Sequence, residues 1–120
     1  MNRIIVCALI TFGLISVAFA QAAEPTYKGD PEVYKIIYED ANLRIIEAVR
    51  KAGVTDKIHG HPVASVVYNV TDCKTKLTAD GKSTETDVKA GAIRALPVMA
   101  AHTAENTGAN DCKQLFIERK

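Results

Sequence analysis

The chain contains no tryptophan, only three histidines and three cysteines in 120 residues, and almost no charge surplus, with fifteen basic against fourteen acidic side chains. So even a balance gives no electrostatic footprint for nucleic acid or for an anionic membrane surface, and both partners are set aside. Internal repeats and low-complexity tracts are also missing, and no segment carries a convincing helical period. The length allows one domain.

What is present begins with an export signal. Asn2 and Arg3 form a short positive start, Ile4 to Ala20 is a nearly unbroken apolar run, and Ala18-Phe19-Ala20 has the small-x-small pattern that signal peptidase accepts. We expect residues 1–20 to be a signal peptide cleaved after Ala20, with Ala22 as the alternative site. A retained anchor is the competing reading, but the run is short for a span and polar residues from Gln21 supply no stop-transfer segment. Cys7 and Arg3 leave with the signal. The remainder has fourteen basic and fourteen acidic side chains and two cysteines, Cys73 and Cys112. An even pair in an exported chain suggests a disulfide, against the alternative of two buried thiols. The expected location is periplasmic or secreted, with no membrane association after signal removal.

Residues 21–32 are polar, hold Pro25, Gly29 and Pro31, and are expected to be a flexible lead-in, with residues 33–120 as the folded domain. β-Branched and aromatic runs predict strands at Val33–Tyr38 and Leu43–Val49. Further alternating runs fall at 54–61, 64–70, 73–78, 84–88, 92–96, 101–107 and 113–118. Turn signals separate them, and Asp80-Gly81 is the clearest hairpin. Many short strands predict an all-β sandwich or small barrel.

The histidines carry the chemical signal. His59 and His61 are two apart, so in a strand they point to one face. His102, from a distant strand, could complete a three-imidazole tripod with open positions for water or substrate. The segments around them are spaced in a recognisable way. Gly53, His59 and His61 match the start of G-x5-H-x-H-x3-4-E-x6-G, and Gly91, Pro97, His102 and Asn106 fit G-x5-P-x-G-x2-H-x3-N. In these two linked motifs the chain resembles the cupin family over roughly residues 43–119. The resemblance implies a double-stranded β-helix (jelly roll) in a single domain, with the glycines and Pro97 shaping turns and Asn106 bracing one through its side chain.

The departures from the pattern matter as much. The family's metal-binding glutamate would fall at Ser65 or Val66, Met99 replaces a glycine, and Asp72 replaces another. Three imidazoles alone still suit Fe, Zn, Cu, Ni or Mn. They would leave the metal its full charge, favouring an anionic small molecule; a relic pocket without metal is the alternative. Tyr68 is a weak candidate for a cavity acid–base group, with strand packing as the competing reading. Met99 as a soft copper ligand competes with a core filler. Arg50 and Arg94 could greet an anion, though solvated strand positions are the default. Glu105 lies on the opposite face from His102, and the Asn69-Val70-Thr71 glycosylation pattern is discounted inside a strand. In a jelly roll the turns holding Cys73 and preceding Cys112 lie at one end, which implies a Cys73–Cys112 disulfide. Function divides between a metal-dependent enzyme of oxygenase, isomerase or lyase type, implied by resemblance alone, and a non-catalytic metal- or ligand-binding module. Edge-strand homodimers are common for the fold class, but nothing in the sequence specifies one.

Overall fold

The computed structural model describes residues 22–120, so the expected signal peptide and Cys7 lie outside the described residues. The apolar alternation produces nine strands: β1 (Tyr34–Glu39), β2 (Leu43–Arg50), β3 (His59–His61), β4 (Ser65–Asn69), β5 (Cys73–Ala79), β6 (Lys82–Val88), β7 (Ile93–Leu96), β8 (Met99–Asn106) and β9 (Cys112–Arg119). They build two antiparallel sheets, ordered β1-β2-β9-β4-β7 and β3-β8-β5-β6. The expected all-β double-stranded β-helix is what forms. Asp80 and Gly81 join β5 to β6 with φ of +50° and +71°, the doubly left-handed turn that suits strand twist and favours a glycine.

The inner face of the five-stranded sheet is laid out by its register. Val67 pairs with Arg94 on one side and Phe116 on the other, and Phe116 pairs with Ile46. Val33, Tyr34, Ile46, Ala48, Val67 and Phe116 form the apolar core, with Tyr27 and Leu96 packed against it. That core is small. Much of the rest of the interior is polar, with Arg50, Asp56, all three histidines, Asn69, Asn106 and Gln114 each no more than 3 % exposed. An interior that polar must be satisfied internally or by a ligand.

Three expectations change. The run 54–61 is a strand only at His59–His61, with Thr55 making one isolated bridge to Glu105. The reason is Asp56, whose carboxylate takes the Ala104 amide, so a side chain replaces part of the ladder. The segment expected as a flexible lead-in contains a helical turn, α1 (Thr26–Gly29), and is tied down. Glu24 O accepts the Gly60 amide and Asp30 Oδ2 accepts the Lys57 amide. Arg50, with a solvated position as its default, is 2 % exposed.

Cys73, at the start of β5, is joined by a disulfide to Cys112, at the start of β9, linking the two sheets at the expected end. An oxidised pair suggests an oxidising compartment. Among the described residues no helix is long and apolar enough to cross a membrane. Asn106 braces its turn as expected, donating to Arg50 O and Asn110 O and accepting from the Gly108 amide. Asn69 is fully buried, with its side-chain oxygen held by Gln114, which keeps the glycosylation pattern out of reach.

Candidate metal centre

β3 is short and sits against β8, with His59 opposite His102, His61 opposite Met99 and a register shift between. Gly60 permits that approach. A Cβ there would lie 3.2 Å from Met99 O and 3.3 Å from Ala23 Cβ, tighter than most side chains tolerate. All three histidines are buried, and one ring nitrogen from each lies within 4.8 Å of the others. Their ring centroids are 4.5 Å apart for His59 and His102, 5.1 Å for His61 and His102, and 5.4 Å for His59 and His61. The structure therefore brings together the three residues that the spacing nominated.

The hydrogen bonds around the rings fix which atoms face the centre. His59 Nδ1 lies 2.8 Å from Lys57 O, and His102 Nδ1 lies 2.8 Å from Ala100 O. A carbonyl only accepts, so each Nδ1 carries the proton and each Nε2 presents a lone pair. His61 stacks on Phe116 at 5.5 Å, and its Nδ1 is buried with no partner among the described residues. Burial is the largest influence on both β3 histidines. It pulls His59 below the usual histidine range and His61 to about 3, so both are neutral at pH 7. Convergent imidazoles, two of them with oriented tautomers, are the donor set of a first-row divalent metal.

A buried polar cluster props His59 from behind. The Asp56 carboxylate accepts the Tyr34 hydroxyl at 2.7 Å, Arg50 Nε at 3.1 Å and the Ala104 amide at 2.6 Å. Arg50 also donates to the Tyr34 oxygen at 2.9 Å. Tyr34 Oη lies 3.4 Å from His59 Nε2, but its one proton already goes to Asp56, which leaves the His59 lone pair free. Burial, the largest effect, pushes the Tyr34 phenol well above its ordinary value. For Arg50, burial opposes the charge, and the adjoining Tyr34 and Asp56 outweigh it and hold the guanidinium protonated. These three residues carry no motif signal. The sequence nominated neither Tyr34 nor Asp56, because the two pair with each other across 22 residues and Tyr34 pairs with Arg50 across 16.

A cavity of about 50 Å³ opens beside the rings. Its buried floor includes His61, His102, Tyr34, Arg50, Gln114 and Phe116, while Thr75, Leu77, Arg94, Leu96 and Met99 form a half-buried rim. At roughly 10–15 Å³ of such space per water, it holds a few waters or a small ligand fragment.

The other nominated residues fall differently. Tyr68 is corrected: on β4 the inward positions are Ser65, Val67 and Asn69, so Tyr68 points outward, 37 % exposed, and does not line the cavity. Val66 also faces out, at 44 %, so Ser65 alone could take the glutamate's inward place. Its hydroxyl is buried without a partner. Met99 is a rim residue rather than deep core, and Glu105 lies on the face opposite His102 as expected.

Neither a protein-family profile nor a curated protein matches the sequence. Solved structures do. A cupin domain from Bordetella pertussis Tohama I superposes with a TM-score of 0.68 at 18 % identity, covering 81 % of this chain and 96 % of that one. The chain has a cupin fold. An RmlC-like cupin family protein from Methanocaldococcus jannaschii, described as a double-stranded β-helix, gives 0.59 at 14 % identity over 89 % and 93 % of the chains. A cupin-like protein from Thermotoga maritima gives 0.55 at 18 % identity over 71 % and 65 %. At these identities the likeness concerns the fold, and the chemistry of the site rests on this chain's own residues.

Proposed function

We propose that this is an exported cupin that holds a divalent transition metal (Fe, Zn, Cu, Ni or Mn) on His59, His61 and His102 and binds a small molecule in the adjoining cavity. The observation that carries the reading is the convergence of three buried imidazoles, two with Nδ1 committed to carbonyls and one with an unpartnered nitrogen. Without a shared cation the cluster would leave buried lone pairs unsatisfied, which costs roughly 1–3 kcal/mol each. A bound metal would supply Lewis acidity and open coordination positions. The chain's own contribution is to orient the rings through Lys57 O and Ala100 O, to hold His59 against the Tyr34–Asp56–Arg50 cluster, and to restrict entry through the Leu77, Leu96 and Met99 rim.

Ligand binding is favoured over turnover. Resemblance alone suggests oxygenase, isomerase or lyase chemistry, and Tyr34, the one phenol lining the cavity among the described residues, is committed to Asp56 and Arg50. Elemental analysis of the purified mature protein tests the metal: near-stoichiometric metal is expected, lost in His59→Ala/His61→Ala. Equal, substoichiometric content in both proteins would overturn the reading. Oxygen uptake by the metal-loaded protein with candidate substrates then separates enzyme from binder.

Export rests on the leader sequence and the disulfide, and predicts a mature N-terminus at Gln21 or Ala23. Either leaves Glu24 in place to cover β3. The outer face of the five-stranded sheet exposes Val66, Tyr68 and Ile93, the last by 70 %, which favours a homodimer through that face. Ile93→Asp is expected to shift a sedimentation profile from dimer to monomer.

A further inference from the structure

Among the described residues, Arg94 is the one cation lining the cavity without a counter-charge. It lies on the edge strand β7, where it lines the cavity with Leu96 of its own strand and Thr75 and Leu77 of β5. Its Nε is buried with no hydrogen-bond partner, and no carboxylate lies within ion-pair distance of it among the described residues. The charged neighbour that influences it is another cation, Arg50, whose own charge is spent on Asp56. With Arg50 paired to Asp56, Arg94 is left as an unbalanced positive charge at the cavity before any metal enters. An arginine Nε shut away from water without a partner is costly, and the half-buried guanidinium offers a planar fork suited to a carboxylate.

We propose that Arg94 is the anion-recognition residue of this cavity and that its ligand is a small carboxylate, held at the rim by Arg94 with its remainder directed toward the histidine cluster. The proposal rests on the metal-site reading for what meets the far end of the ligand, while the Arg94 contact stands on its own. The small cavity restricts the ligand to a few heavy atoms beyond the carboxylate. The hydrophobic rim residues Leu77, Leu96 and Met99 lower the local dielectric beside the ion pair, which strengthens it.

Acetate and glycolate, with acetamide as the neutral isostere, test this by calorimetric titration of the mature protein, metal-free and loaded with Co(II). The carboxylates are expected to bind, acetamide not. Arg94→Gln should weaken carboxylate binding by about tenfold or more, the usual cost of a charge-assisted contact, and Arg94→Lys should restore part of it. Co(II) stoichiometry should equal that of the wild type in both variants. Unchanged acetate affinity in Arg94→Gln, or acetamide binding as well as acetate, would overturn the proposal whatever the metal does. If the wild type takes up no Co(II), the metal reading fails separately, and the metal-free titration still decides Arg94.

Discussion

Replacing Asp56 by asparagine keeps the shape of the side chain and removes its charge. Its carboxylate receives the Tyr34 hydroxyl, Arg50 Nε and the Ala104 amide, and residues 50 and 56 are only 2 % and 3 % exposed. Water cannot take over for the lost anion there. The Arg50 guanidinium would remain buried against an amide that can accept on only one side, and removing one partner of a buried ion pair costs about 3–5 kcal/mol. A domain of this size is stable by roughly 5–15 kcal/mol, so Asp56→Asn should lower the melting temperature by some 15 °C or more. Urea unfolding of wild type, Asp56→Asn, Arg50→Met and the double variant is the assay. The double variant should cost less than the two single variants added together, by about 2 kcal/mol, because it strands no charge. Strict additivity, or a cost for Asp56→Asn under about 1 kcal/mol, would refute the claim that this cluster is a cooperative buried unit.

Removing the disulfide by Cys73→Ala/Cys112→Ala releases a crosslink between residues 39 apart, and chain entropy puts the loss near 4 kcal/mol in urea unfolding; no change in midpoint would contradict it. The metal-free protein should lose stability as pH falls below about 6.5. There the unfolded chain protonates His61, while the folded chain resists until about pH 3. The resulting slope is about 1.4 kcal/mol per pH unit, and identical slopes for wild type and His61→Gln between about pH 6 and pH 4 would defeat it. Tyr68→Ala should leave metal content and carboxylate binding unchanged, since the side chain faces away from the cavity; a loss of either would return Tyr68 to the site.

Spacing made the histidines and their turns legible, because two linked motifs encode strand parity and loop length together. Parity was not legible where both faces of a strand are apolar. In β4, Val66 and Tyr68 alternate with Val67, and only the register against β7 and β9 shows which set is inside. The same ambiguity hid Arg50, since Ile45 and Val49 on one face of β2 are as apolar as Ile46 and Ala48 on the other. Asp56 read as part of a strand because the flanking residues Val54 and Ile58 look like strand residues; in the fold they are 39 % and 64 % exposed and flank a carboxylate that turns inward. Long-range polar pairing leaves no periodic trace in a sequence.

The absent glutamate has a physical context in the register of β4 and β9. Ser65, the inward candidate for its place, sits directly opposite Glu118. Glu118 is itself 4 % exposed; burial, the largest effect, raises its carboxyl above the usual range, and Arg44 Nη1 at 3.6 Å only partly offsets this. A second carboxylate across that pair would bring two like charges within about 5 Å on the inner face, with one partial counter-ion between them. Serine avoids that repulsion, and it moves the charge problem to the cavity. On the proposed reading a divalent ion held by three neutral imidazoles keeps its full charge, and Arg94 adds to it. The negative charge that a glutamate would have brought to the metal must then come from the ligand, so metal and carboxylate should each tighten the binding of the other.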